Sequence, residues 1–196
     1  PSYKKAKNNT IEIKWHFVGF YIQIVMRLKD CHSFTDFREL ARRRLPSPIF
    51  NYIDGAADDE STYDRNTKSF EDCDLVPNVL RGVQDIDMSV EILGQRLDMP
   101  IYCSPTALQR VFHHQGENAV AAAADKYGTL FGVSSLGTVS LADVRKRYPG
   151  PQCYQFYFHK DRELNKVMLE NAKNVNVDIM MLTVDTITGG NRERDL

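Results

Sequence analysis

Four clusters of polar residues sit at or just past short apolar runs in this chain: Ser104-Pro105-Thr106-Ala107, Ser134-Ser135, the pair Gln155 and Tyr157, and Thr183-Val184-Asp185-Thr186. Between them they offer backbone N–H groups, hydroxyls, an amide, a phenol and a carboxylate. Gln155 and Tyr157 stand at i and i+2, so they share one face of an extended segment. A planar heterocycle with imide and carbonyl edges needs that mixture of donors and acceptors. A single Ser or Thr in such a place is accounted for by capping the helix that follows. Four consecutive runs ending this way ask for more than capping.

The elements that must position these residues follow from the hydrophobic pattern. Apolar runs at 101–104, 130–133, 154–158 and 179–184 read as strands. Helices are expected between them. One runs from Glu117 to Lys126 and is closed by Gly128; a second opens on the capping box Ser140-x-x-Asp143 and is stopped by Pro149; a third carries Leu164, Val167, Met168 and Ala172 on one face. Strand and helix recurring about every 25 residues imply βαβ units and a parallel sheet. A doubly wound sheet and a (β/α)8 barrel both fit, and both place their sites at the C-terminal strand ends. The absence of GxGxxG after the first run weighs against a dinucleotide fold.

Upstream, Ser33-Phe34-Thr35-Asp36 supplies N-cap candidates for a helix whose last turn holds Arg42, Arg43 and Arg44, where cations suit the helix dipole. Ser47-Pro48 opens a second helix closed by Gly55, and Asp58-Asp59-Glu60 is expected in the first turn of a third that ends near Phe70. Residues 92–97 read as a small hairpin. The chain has 196 residues, 42% hydrophobic and 26% charged, with net charge −1. That excludes a disordered or fibrous class and a broad nucleic-acid surface. Cys31, Cys73, Cys103 and Cys153 lack metal-ligand or disulfide-framework spacing and read as idle thiols in a reducing, cytoplasmic compartment. Residues 1–33 form a distinct leader. They carry Lys4, Lys5, Lys7, Lys14, Arg27 and Lys29 against Glu12 and Asp30, a net +4. The apolar stretch 15–26 is too short to span a bilayer, which needs roughly 20 residues. A targeting segment, a peripheral contact with the inner membrane and a simple extension are the readings left open.

The segments Phe50-Asn51-Tyr52-Ile53-Asp54-Gly55-Ala56-Ala57-Asp58-Asp59-Glu60, Ser104-Pro105-Thr106-Ala107, Gln115-Gly116-Glu117, Tyr154-Gln155-Phe156-Tyr157 and Leu182-Thr183-Val184-Asp185-Thr186 resemble, in order, the FMN-dependent 2-hydroxy-acid dehydrogenase/oxidase family. That family includes L-lactate dehydrogenases, glycolate oxidases and mandelate dehydrogenases. The ending Gly189-Gly190-Asn191-Arg192-Glu193-Arg194-Asp195 is most similar to the bacterial lactate-dehydrogenase-like branch. The resemblance runs from about Phe34 to Leu196 and implies the N-terminal half of a (β/α)8 barrel, about four parallel strands preceded by short helices. It divides the chain into a leader at 1–33 and a partial flavin domain at 34–196, truncated after the fourth barrel strand. A closed barrel needs roughly 250 residues.

The resemblance also implies roles. Pro105, Thr106 and Ala107 would lie along the FMN ring system, and Ser134, Gln155 and Thr183 would hydrogen-bond it and tune its electronics. Tyr52 and Arg192 would bind the substrate carboxylate, Tyr157 would face the substrate hydroxyl, and Asp185 would orient a catalytic His. In the family that His, a neighbouring Arg and a flavin-side Lys belong to the second half of the barrel, so the 196 residues are expected to be inactive by themselves. Leu136 stands where plant glycolate oxidases carry a Trp. His113 and His114 precede a barrel helix and read as structural. The implied reaction converts a 2-hydroxy acid, L-lactate foremost, to the 2-oxo acid. Electrons would pass to a quinone, a cytochrome or oxygen, in a full-length homo-oligomer. The competing readings are a non-catalytic half-barrel that acts as a binding or assembly module, and another FMN barrel of the isopentenyl diphosphate isomerase type.

Overall fold

A computed structural model describes residues 26–195. Most of the basic leader, 1–25, lies outside the described residues, and with it the reading of a membrane contact. The described residues divide into two units, 26–43 and 44–195. In the first, a 3-10 turn at Leu28–Asp30 precedes helix α1, Phe34–Arg44. Ser33 and Asp36 cap α1 reciprocally. The Asp36 carboxylate accepts from the Ser33 amide at 2.9 Å, and the Asp36 amide donates to Ser33 Oγ at 3.3 Å.

The second unit begins with helices α2, Ser47–Asp54, and α3, Ser61–Lys68. Gly55 closes α2 as expected. The start of α3 differs from the sequence reading. Asp58 and Glu60 both adopt left-handed backbone, with φ of 50° and 56°, so the chain turns twice before a helix can begin. The acidic triplet therefore precedes α3 rather than filling its first turn. The helix also ends early, at Lys68, where Ser69 Oγ donates back to the Arg65 carbonyl at 2.7 Å. Strands β1, Val90–Ile92, and β2, Gln95–Leu97, form the expected antiparallel hairpin.

Beyond the hairpin come α4, Gln109–Phe112, which the sequence pattern did not signal, then α5, Glu117–Lys126, β3, Phe131–Ser134, α6, Leu141–Arg147, β4, Gln152–Tyr157, α7, Arg162–Asn174, and β5, Ile179–Thr183. The three strands lie parallel in the order β3-β4-β5. The run at 101–104 is not a full fourth strand. It is reduced to one parallel bridge, Cys103 with Phe131. Cys103 N donates to the Leu130 carbonyl at 3.0 Å, and Gly132 N donates to the Cys103 carbonyl at 2.8 Å. Pro100 and Pro105 bracket the run and have no N–H to give, so the ladder cannot extend in either direction.

Alternation along the strands sorts the sheet into two faces. Phe131 and Val133 pack under α5 and α6 with Ala121, Ala124 and the fully buried Val144. Tyr154 and Phe156 pack against Ala172 and Met168 of α7. The expected apolar face of α7 is only partly used, since Leu164 and Val167 are exposed. The buried polar Asn165 does comparable work, accepting from the His159 amide at 2.9 Å and donating to its carbonyl at 2.8 Å. On the opposite face, Leu97 of the hairpin plugs the N-terminal strand ends with Leu130, Cys153 and Ile179. Burial pushes the Cys103 and Cys153 thiols up, which keeps both protonated and inert at neutral pH.

One buried charge ties the helices to the loops. Glu117 is fully buried, and its carboxylate accepts from Thr138 N at 2.7 Å and Thr138 Oγ at 2.6 Å. Burial alone raises this carboxyl. The Thr138 donors, with backbone N–H groups of Glu117 and Gln109, outweigh it and set it below the ordinary 4.5. A depressed folded value means that the stabilisation is fully present above pH 4.5 and is lost as pH falls through the folded value. Glu117→Gln should therefore cost about 1–3 kcal/mol in urea unfolding at pH 7, and the gap to wild type should close on acidification below about pH 4.5.

Candidate functional site

The face opposite the helices carries Gly132 and Ser134 on β3, Cys153, Gln155 and Tyr157 on β4, and Met181 and Thr183 on β5. Towards the C-terminal ends the polar members join in one row. Ser134 Oγ donates to Gln155 Oε1 at 3.1 Å, and Gln155 Nε2 donates to Thr183 Oγ at 2.6 Å. Leu136 N donates to Ser134 Oγ at 3.1 Å. The row fixes the amide orientation of Gln155. It leaves a second Nε2 hydrogen, a lone pair on Oε1 and the Thr183 hydroxyl hydrogen to face a ligand. Ser134 and Gln155 are buried, and Thr183 is half-buried. Tyr157 is paired in register with Thr183, at the last residue of β4.

The segment 105–107 borders this row. A Cβ added to Gly132 would lie 2.7 Å from both N and Cδ of Pro105, so glycine is what lets that backbone approach the sheet. Leu108 N donates to the Leu136 carbonyl at 3.1 Å, and Gln109 Nε2 donates to the Thr106 carbonyl at 3.2 Å. These bonds hold Pro105, Thr106 and Ala107 as a fixed rim. Ser135 Oγ, beside the row, is buried without a hydrogen-bond partner.

Tyr52 and Arg192 come together across 140 residues of chain. Arg192 Nη2 donates to the Tyr52 carbonyl, and its guanidinium carbon lies 5.3 Å from the Tyr52 ring centroid. Its Nε donates to the Asp195 carboxylate at 2.6 Å, and this hydrogen bond raises Arg192 above its ordinary value. The Tyr52 ring stacks on Phe112 of α4, with centroids 6.2 Å apart, so it reaches the element that follows the 105–108 rim. Asp185, exposed just past β5, makes no hydrogen bond or ion pair with these groups.

Sequence reasoning passed over the latch that holds this pair. Arg194 Nη2 meets the Asp54 carboxylate at 2.8 Å and Nη1 meets Glu60 at 3.3 Å. Asp58 N donates to the Asn191 carbonyl at 2.8 Å, and Glu60 Oε1 accepts from Ala56 N at 2.9 Å. The Asp54 side chain is 7% exposed. These acids stand in the quoted segment 50–60 and Arg194 in the segment 189–195. Nothing in local spacing connects positions 134–140 residues apart.

The donor and acceptor set fits a flavin edge. The row offers an amide and hydroxyls at the strand ends, the rim offers backbone along one side, and the cradle at Gly132 keeps the rim close.

Comparison with known proteins places this geometry. The profile of the FMN-dependent dehydrogenase family matches residues 41–196. An L-lactate dehydrogenase of Vibrio parahaemolyticus is 38% identical over 162 residues, covering 83% of this chain and 43% of that protein. Glycolate oxidase 5 of Oryza sativa subsp. japonica is 35% identical, covering 83% and 44%. A lactate oxidase structure from Pediococcus acidilactici superposes with a TM-score of 0.77 at 33% identity, covering 82% of this chain and 45% of that one. A mandelate oxidase variant solved with an FMN adduct gives 0.76 at 30%, covering 82% and 48%. The chain thus spans a little under half the length of the relatives it matches. Its parallel sheet and helices are part of the (β/α)8 barrel of those enzymes. The chain belongs to the FMN-dependent dehydrogenase family.

Proposed function

We propose that the protein carrying these residues is an FMN-dependent oxidoreductase that converts a small 2-hydroxy acid, with L-lactate first in line, to the 2-oxo acid. The observation that carries this reading is the Ser134–Gln155–Thr183 row, set on the interior face of the sheet in a chain of this family. FMN, when bound, supplies the two-electron acceptor. Ser134, Gln155 and Thr183 hold its polar edge, and Pro105, Thr106 and Ala107 support the ring along the rim. Tyr157 donates to the substrate hydroxyl oxygen and keeps it aligned. Tyr52 and Arg192 bind the carboxylate; Arg192 exchanges Asp195 for substrate, a swap between two carboxylates that its planar guanidinium suits. Asp185 orients the catalytic base, a His that these 196 residues do not supply.

Residues 34–196 are, on this reading, a partial flavin domain, and the first 33 a leader. Met180 and Leu182, exposed on β5 at 44% and 56%, support the burial of that strand by further barrel elements in the whole protein. Electrons would leave to a quinone, a cytochrome or oxygen, and the full-length protein would be a homo-oligomer. Among the described residues no helix is long and apolar enough to cross a membrane. Four free cysteines suit the cytoplasm, with or without a peripheral membrane contact.

Three outcomes are expected. The 196-residue chain alone, dialysed against FMN, should retain no stoichiometric flavin and should not turn over L-lactate with an artificial acceptor. In the full-length protein, Tyr157→Phe should lower kcat by about 10²-fold, the low end of the range for loss of one positioned hydrogen-bond donor, while flavin content stays at wild-type level. Equal loss of flavin and turnover would contradict its role. Asp54→Ala releases Arg194 from its buried partner. With Arg194 partly exposed, the loss should be about 1 kcal/mol, read as a roughly fivefold faster exchange of the Asp58 amide and a raised KM for the 2-hydroxy acid at nearly constant kcat.

A further inference from the structure

The single helical turn α4 links the rim at 105–107 to the pair Tyr52 and Arg192, and its start is held by several bonds. Leu108 adopts left-handed backbone, with φ of 55°, which a non-glycine residue keeps only where its surroundings over-determine it. Here they do. Leu108 N donates to the Leu136 carbonyl at 3.1 Å. The buried Gln109 donates through Nε2 to the Thr106 carbonyl at 3.2 Å, and Arg110 N donates to Thr138 Oγ at 3.1 Å. Thr138 is held in turn by the buried Glu117 carboxylate, which also accepts from the Gln109 backbone N–H. A Cβ on Gly116 would lie 2.6 Å from Arg110 Cγ and 3.1 Å from Arg110 N, so glycine lets the loop before α5 press against α4.

The last residue of this bracket is Phe112, which is half-buried. Its ring lies against the Tyr52 ring of α2, with centroids 6.2 Å apart and planes 10° from parallel. That is the offset-stacked geometry aromatic pairs favour. The Tyr52 hydroxyl makes no hydrogen bond with any described residue. The ring is instead placed by Phe112 and by the Arg192 guanidinium, 5.3 Å from its centroid. Of these two contacts, the one with Arg192 must change when that guanidinium exchanges Asp195 for a substrate carboxylate. Phe112, anchored through α4 to the rim, is the contact that persists.

We propose that Phe112 is a positioning residue for the substrate carboxylate. It holds the Tyr52 ring in place relative to the flavin rim while Arg192 changes partner, and it acts through Tyr52 without touching substrate or flavin itself. The inference rests on the roles proposed above for Tyr52 and Arg192.

Steady-state kinetics of the full-length protein with L-lactate test it. Phe112→Ala should raise KM about fivefold, the scale of one lost aromatic stack, with kcat nearly constant and flavin content at wild-type level. Phe112→Tyr, which keeps the ring, should restore the wild-type KM. Nitration of Tyr52 by tetranitromethane, followed by peptide mass spectrometry, reads the ring without turnover. It should run faster in Phe112→Ala and at the wild-type rate in Phe112→Tyr. An unchanged KM in Phe112→Ala, or loss of flavin and kcat in step with the rise in KM, would overturn the proposal. Should the wild-type protein leave L-lactate unoxidised, the substrate reading falls and the nitration rates decide. Equal rates in wild type and Phe112→Ala then overturn the bracket, and a faster rate in the variant upholds it.

Discussion

One side-chain hydrogen-bond row, Ser134 to Gln155 to Thr183, ties together three parallel strands at the end where the family's chemistry is done. It is possible only because the strands are sorted by a period of two. The helices take Phe131, Val133, Tyr154 and Phe156 onto one face, and the polar residues are left on the other. An amide in the middle of such a row is costly to bury unless each of its groups is met. Ser134 and Thr183 meet two of them. One Nε2 hydrogen of Gln155 and the hydroxyl hydrogen of Thr183 are left unused by the row. On the proposed reading, structural tie and ligand contact would be the same atoms.

Two further constraints arrange the surroundings of that row. The close approach of Pro105 to Gly132 brings a backbone rim to the sheet, at the expense of the first strand, which two prolines confine to a single bridge. The Arg194 latch to Asp54 and Glu60 anchors the segment after β5 to α2 and so sets Arg192 on Tyr52. A partly buried ion pair of this kind adds modest stability. Its larger effect is to fix which residues meet, because the chain between its partners is long and offers many other arrangements.

Much of this was legible in the sequence. The capping box at Ser140, the glycine closing α2 and the alternation of apolar runs with helices all signal elements that the fold contains. Five ordered motifs identified the family. What local pattern did not reveal has a common physical origin. The left-handed turns at Asp58 and Glu60 are imposed by partners at 191 and 194, so the acidic triplet read as a helix start when it is a tertiary contact. The run at 101–104 has a strand's composition, but its ladder is limited by prolines at its borders. Asn165 replaces apolar cover on α7 because it satisfies both backbone groups of His159, a contact that hydrophobic periodicity does not register. The row itself was visible as a set of residue types, and its bonding required the register.

The central claim is that Gln155 meets the flavin while bridging the strands. Titration of FMN into the full-length protein and its Gln155→Leu variant, followed by flavin absorbance and with thermal unfolding as a control, tests it most directly. The account predicts FMN binding weakened at least tenfold in the variant under conditions where both proteins remain folded. Equal FMN affinity in the two would contradict it.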